Sequence, residues 1–471
     1  MTITQCLSRQ TCWILVCVAW LHSAGTIEAQ WTRSAKAKPA LSSKANNEQD
    51  LAKGKSTTIS KPKDDLMSAS RTSKEPTVSL SRLIQIALQQ NPRLQQAALA
   101  INAAQGRAEQ AGLYPNPNIT FSGEEIGPRG GIQTLPQVNV PIVTANKLQL
   151  NRAVALKDVD VANLRLIVQR FALLTDVRKA YVTVLTLQQR ITLLKALVKL
   201  AEQSLKNAKD LEKGQLIAEL DVVPFEVDLE RFKADLDAAK QQKEAAWRQL
   251  LARIGLPPAR QVKLDGSLQQ TLPDYSFNQS RSFVVTSHPM ILASRKGVER
   301  AVLAVKRAEA RGVPNFTVGA GYQRNFNDKL NQATYQIQIP IPLFNRNQGN
   351  VRAAKAELAR AAQDIRGVEN DLTRRLAAAF GNYNSARKQA ERYRTTLLPR
   401  AEKAYELSRK AFQGGEFQYL RVIQAQRAVA QARLQYLRLL SRAWLSAGDI
   451  SGLLLEEHWP LSSSQASKRT P

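Results

Sequence analysis

Cysteine is almost absent from this 471-residue chain: Cys6, Cys12 and Cys17 are the only three, all within the first 17 positions. The remainder can form neither a disulfide nor a thiolate metal site. Histidine is as scarce, at His22, His288 and His458, and Met67 and Met290 are the only methionines after the first residue. A soft-metal relay needs more of these ligands, so no metal site is expected in the chain itself. Phe, Tyr and Trp together make up 6% and hydrophobic residues 44%. That is lean for a globular core and ordinary for coiled-coil helices that bury a narrow stripe. No Walker loop, glycine-rich dinucleotide fingerprint or His-Glu zinc helix is present, and the acidic pairs Glu124-Glu125 and Glu456-Glu457 have no companion acid, base or ligand. The chain therefore reads as a non-enzyme without a cofactor. Carboxylates are outnumbered, 39 against 67 Lys and Arg, for a formal charge of +28. The basic residues are scattered through helices with no aromatic-interleaved patch, which argues against nucleic acid as a partner.

Long apolar stretches are missing too. An apolar run from Cys12 to Leu21 follows Arg9 and precedes Ser23, Ala24 and Gly25. About ten residues are too few to span a bilayer as a helix, so residues 1–29 read as a secretory signal peptide, cleaved after Ala24, Gly25 or Ala29. The bulky Val16 before Cys17 disfavours lipidation there. Nothing later is apolar enough for a transmembrane helix, which leaves an exported chain that is either soluble or a barrel with weak hydropathy. Residues 30–76, rich in Ser, Thr, Lys and Asn, read as a disordered basic linker, and 456–471 as a disordered tail.

What remains says the same thing twice. Asn91-Pro92 is echoed by His288-Pro289, Pro117-Asn118 by Pro314-Asn315, Gln137–Ile142 by Gln336–Ile341, and Gly214 by Gly414. The offset of about 200 residues is far longer than a solenoid repeat, so the body divides into halves at 77–265 and 266–455. Each half predicts a helix, two alternating strands, then two long helices. In 315–323, Phe316, Val318, Ala320 and Tyr322 share one face and Thr317, Gly319, Gly321 and Gln323 the other; in 334–340, Tyr335, Ile337 and Ile339 oppose Gln336 and Gln338. The first-half strands alternate less cleanly. A membrane hairpin and a water-soluble hairpin packed on helices both satisfy this pattern. Residues 145–213 lack proline and predict a helix of roughly 100 Å. Val351, Ala354, Leu358, Ala361, Ile365, Val368 and Leu372 form a heptad stripe. Returning helices are expected over 219–254 and 417–447, with Pro224 distorting early turns and Pro399 kinking the outgoing helix of the second half. His288, beside proline and matched by Asn91, is expected to start a helix rather than to bind a ligand.

Over 78–455 this pattern resembles the TolC-type outer membrane efflux proteins. The Asn-Pro and His-Pro repeat starts, the Pro-Asn exits into strands, Leu398–Glu402, Tyr405–Gly415 and Leu420–Gln426 carry the resemblance. The stretch Ile339–Gly349 is similar to the cobalt-zinc-cadmium efflux (CzcC-like) branch. The resemblance implies a mostly α fold with a small β part: coiled-coil helical hairpins plus four strands per chain. It implies a homotrimer closing a 12-stranded barrel in outer membrane lipid, with a periplasmic helical tunnel. It further implies docking to a periplasmic adaptor (membrane fusion protein) and an inner-membrane resistance-nodulation-division pump, in passive export of heavy-metal cations. The tip residues that match are Glu212, Lys213, Gly214, Glu219 and Asp221, and Gly414, Gly415, Glu416, Tyr419 and Arg421. Some are expected to gate the tunnel, with Asp221 and Arg421 as opposite charges at equivalent positions; plain turn and capping roles are the alternative for each. A soluble periplasmic structural coiled coil is the competing reading.

Overall fold

Proline and its preceding residue set the first break in each half. The computed structural model describes residues 77–128, 130–413 and 420–460. After a two-residue strand β1 (Thr77–Val78), α1 (Leu80–Gln90) ends at Asn91 and α2 (Pro92–Gly112) begins. The first half closes with β4 (Lys263–Leu264), and the second repeats the helix break with α5 (Phe277–Ser287), His288 and α6 (Pro289–Ala310). Asn91 and His288 are both extended, at φ −69° and −66°, as residues before proline must be. Each caps the next helix: Asn91 Oδ1 accepts from Arg93 N–H at 2.8 Å and His288 Nδ1 from Met290 N–H at 3.2 Å. His288 is thus the helix-start residue its sequence context indicated.

The strands follow: β2 (Asn118–Gly127) and β3 (Gly130–Ile142), then β5 (Phe316–Asn325) and β6 (Leu330–Gln338). They form one antiparallel sheet in the order β2-β3-β5-β6, so the hairpins of the two halves join through β3 and β5. The first-half strands are as long as their counterparts. Their alternation reads poorly because β3 carries an extra residue at Pro136, which shifts its register against both β2 (Thr120 to Ser122) and β5 (Tyr322 to Gly321), and β2 carries another between Glu124 and Gly127. Each bulge flips the face on which the next residue lands. β1 and β4 pair in parallel, tying the start of the first half to its end in strands too short for a sequence signal.

Beyond the sheet, α3 (Lys147–Lys213) runs 67 residues, roughly 100 Å, and α4 (Glu219–Ile254) returns along it. In the second half the outgoing helix is divided: α7 (Gln348–Arg392), a π turn (Tyr393–Leu397) and α8 (Leu398–Gln413). Pro399 has no N–H to give the preceding turn, and the ladder widens upstream of it, with Leu398 N–H donating to Tyr393 O. The return helix α9 spans Leu420–Leu453. The heptad stripe of α7 is buried at Ala354 and Leu372 and half-buried at the positions between.

The largest core lies mid-body, where Tyr181, Leu185, Leu250, Leu376, Tyr383, Trp444 and Ile450 pack. Its aromatics hold the connection between halves: Trp444 Nε1 donates to Leu268 O at 2.8 Å, and the Tyr181 and Tyr383 hydroxyls to the carbonyls of Asp265 and Pro273. Arg178, fully buried, donates to Ser451 Oγ and to the carbonyls of Glu456 and Glu457, with its guanidinium 5.2 Å from the Trp459 ring centre. Trp459 is itself buried, so the packed body runs past Leu455, where the sequence reading began the tail.

Candidate functional site

Two places on this scaffold suit a conduit: the sheet at one end of the helices and the turn at the other. In the sheet, register puts Ile119, Val138, Ala320 and Tyr335 side by side on one face, with Val318 opposite Ile337. This apolar face is bare: Ile119, Phe121, Tyr335 and Ile337 are 63, 67, 88 and 68% exposed. The other face presents Asn118, Thr120, Gln137, Asn139, Gln336 and Gln338. Its side chains bond to one another. Gln137 Nε2 donates to Gln336 Oε1 at 3.1 Å and to Asn139 Oδ1 at 3.3 Å, and Asn139 Nδ2 donates to Thr120 Oγ1 at 3.1 Å. The outermost strands, β2 and β6, each have one unpaired edge.

At the other end, α3 closes on Gly214, whose N–H donates to Asp210 O and Glu212 O. Gly214 itself has φ −78°; the left-handed residue of the turn is Gln215, φ 58°. Glu219 is the exposed first residue of α4. Asp221, three residues past the N-cap, accepts the Ala218 N–H at 3.2 Å, so its carboxylate has a local capping role. Arg421 is exposed in the first turn of α9. Gly414, Gly415, Glu416 and Tyr419 lie outside the described residues.

Sequence reading missed the contact that joins the two hairpins. Arg427 Nε donates to Asp228 Oδ2 at 2.6 Å, with the Asp228 side chain only 12% exposed. Beside it Ser204 Oγ donates to Gln426 Oε1 at 3.0 Å. Phe225 and Ile423 pack below, with Val222 and Ala208. The available signal was an aspartate inside the buried stripe Val222, Phe225, Leu229 and Phe232. Leu220, Val223 and Val227 form an exposed apolar line on α4 close to the turn. Among the described residues no group of His, Cys, Asp and Glu is placed to hold a metal ion, and no helix is long and apolar enough to cross a membrane.

Comparison with known proteins places this geometry. The family model described as outer membrane efflux protein matches the chain twice, over 83–256 and 284–447. The cobalt-zinc-cadmium resistance protein CzcC of Cupriavidus metallidurans is 26% identical over 377 residues, 80% of this chain and 90% of that protein. The crystal structure of the outer membrane protein VceC from Vibrio cholerae superposes with a TM-score of 0.67 at 20% identity, covering 80% of this chain and 95% of that one. CusC, studied for its transmembrane channel formation, gives 0.67 at 17% identity, over 80% and 91%.

Proposed function

We propose a specific role for this chain, which belongs to the outer membrane efflux protein family and is an outer membrane efflux channel: it is the passive exit duct of a tripartite export system, assembled as a homotrimer. The observation that carries this reading is the sheet. Four strands cannot close a membrane barrel alone, and an open edge in hydrocarbon costs several kcal/mol for each unpaired backbone group. Three copies joined β6 to β2 make a closed ring of twelve strands, with the bare apolar face toward lipid and the bonded amides toward the lumen. The half-buried heptad stripe of α7 likewise leaves surface for a neighbouring hairpin.

The line Leu220, Val223 and Val227 at the far turn suits a periplasmic adaptor, which would couple the duct to an inner-membrane pump of the resistance-nodulation-division type. The likeness to CzcC supports divalent heavy-metal cations as cargo. With no soft-ligand cluster among the described residues, cargo selection belongs to the partner pump. Gly214, Glu219, Asp221 and Arg421 stand at the aperture, the sequence assigns Gly414, Gly415 and Glu416 to the same role, and the Asp228–Arg427 pair latches the hairpins behind it.

Two measurements test this. The protein is expected in the outer membrane fraction, extracted only by detergent and cross-linking as a trimer; recovery from the soluble periplasm would favour a structural coiled coil. In planar bilayers, Asp228→Asn, Asp221→Ala and Arg421→Ala are expected to raise single-channel conductance. Wild-type conductance in all three would remove the gate from this end.

A further inference from the structure

The amide belt of the sheet is built over two glycines. A Cβ on Gly319 would lie 2.4 Å from Asn139 Oδ1 and 3.0 Å from Gln137 Nε2, and one on Gly321 would lie 3.0 Å from Gln137 Cα. Glycine in a strand interior weakens it and has no side chain to pack, so its use marks a close approach by something else. Here Gln137 crosses β5 above these glycines and reaches Gln336 on β6, while Asn139 turns back to Thr120 on β2. The belt therefore touches three strands and lies on the fourth. Its side chains satisfy one another instead of reaching into the lumen, and Gly319 beneath them is buried. The belt has no charge. Among the described residues of the four strands, the polar face carries one ionisable group, Glu124, near the β2–β3 turn.

We propose that Thr120, Asn139, Gln137 and Gln336, seated on Gly319 and Gly321, form a charge-free collar lying flat on the barrel wall, which makes this segment indifferent to the charge of what passes. A hydrated divalent cation meets carboxamides already bonded to each other, not carboxylates that would retain it, so cation and anion pass alike. This rests on the proposed barrel, with the polar face inward.

The experiment uses the detergent-extracted trimer reconstituted in liposomes, with a single reporter cysteine; the three native cysteines lie in the expected signal peptide. Gln338→Cys puts the reporter on the polar face and Ile337→Cys on the apolar one. The probes are a cationic and an anionic water-soluble thiosulfonate of similar size. If Ile337→Cys reacts with them and Gln338→Cys does not, the inward polar face itself is wrong. With that face established, the collar predicts a cationic-to-anionic rate ratio at Gln338→Cys equal to that of a free thiol in solution. Adding Gln336→Glu should shift the ratio several-fold toward the cation. Adding Gly319→Val should slow both reagents about two-fold with the ratio unchanged, as the amides are pushed off the wall. Gly319→Ala, smaller but still in conflict with Asn139 Oδ1, serves if the valine variant does not insert. A starting ratio already far from that of the free thiol would overturn the charge indifference. Rates unmoved by either glycine variant would overturn the collar.

Discussion

In the first half the exit from the sheet is covered, and in the second it is bare. Pro141 and Ile142 of β3 pair with Thr317 and Phe316 of β5. Just beyond, Thr144 Oγ1 donates to Pro314 O at 2.7 Å, and the buried Lys147 ammonium donates to Val313 O and Asn315 Oδ1, each at 2.5 Å. Among the described residues the matching stretch of the second half has no strand beside it, and Ile339, Ile341, Leu343 and Phe344 are 58, 76, 64 and 91% exposed. At the opposite edge Leu113, Tyr114, Ile119 and Phe121 are bare as well. The duplication explains both. The first exit packs on the second half's entry; in the proposed trimer the second exit would pack by the same geometry on the first-half entry of a neighbouring copy. A difference between halves of the same architecture thus fits the edge of one molecule.

The largest expected effect comes from breaking the two faces of β6 separately. Ile337→Arg places a charge on the proposed lipid face, at about 2–4 kcal/mol per copy near the bilayer middle, repeated in each subunit. Assembled trimer in the outer membrane fraction should be nearly lost. Gln336→Arg, one residue away on the lumen side, should assemble normally. Equal losses from both would contradict the assignment of faces.

That asymmetry was partly legible in the sequence. Gly319 and Gly321 alternate with Val318, Ala320 and Tyr322, and a period of two assigns each to its face. The long helices were legible because proline is absent from 145–213 and a heptad repeats from Val351 to Leu372. The first-half strands were obscured because the extra residue at Pro136 in β3 and the irregularity between Glu124 and Gly127 in β2 break the period that alternation needs. The Asp228–Arg427 latch and the Arg178 clamp were invisible. Each joins residues about 200 or more positions apart, and nothing local distinguishes a buried arginine from a solvated one. Likewise the π turn lies upstream of Pro399, the residue that announced it.

A middle-sized effect should separate Lys147 from Gln348, which follow the left-handed Asn146 and Asn347 at equivalent helix starts. Lys147 holds the two halves together. Among the described residues Gln348 bonds its own turn, accepting from Arg346 N–H at 2.8 Å and donating to Phe344 O at 3.2 Å. Lys147→Met leaves Val313 O and Asn315 Oδ1 without the ammonium and should cost about 2 kcal/mol, read as an earlier thermal transition of the trimer. Gln348→Met should cost less than half as much. A reversed order would mean that the junction is held elsewhere.

The smallest effect concerns the paired caps, Asn91 and His288. Burial, and then the nearby Arg375 charge, push the His288 pKa down to about 4 from 6.5. The neutral ring is the form that fits, because its Nδ1 must accept the Met290 N–H. Between about pH 6.5 and pH 4 the unfolded chain binds a proton that the folded chain refuses. The stability from this cap is therefore fully present above pH 6.5 and drains away as the pH falls toward 4. Asn91, in the same backbone conformation, has no such dependence, since a carboxamide accepts its N–H at any of these pH values. His288→Asn should therefore leave the melting temperature near pH 7.5 within a few degrees of wild type. It should also flatten the fall between pH 6.5 and 4.5, a difference of roughly 1–2 kcal/mol per subunit. If the variant and the wild type lose stability in parallel over that window, other groups carry the acid sensitivity and the two caps are interchangeable in charge as well as in shape.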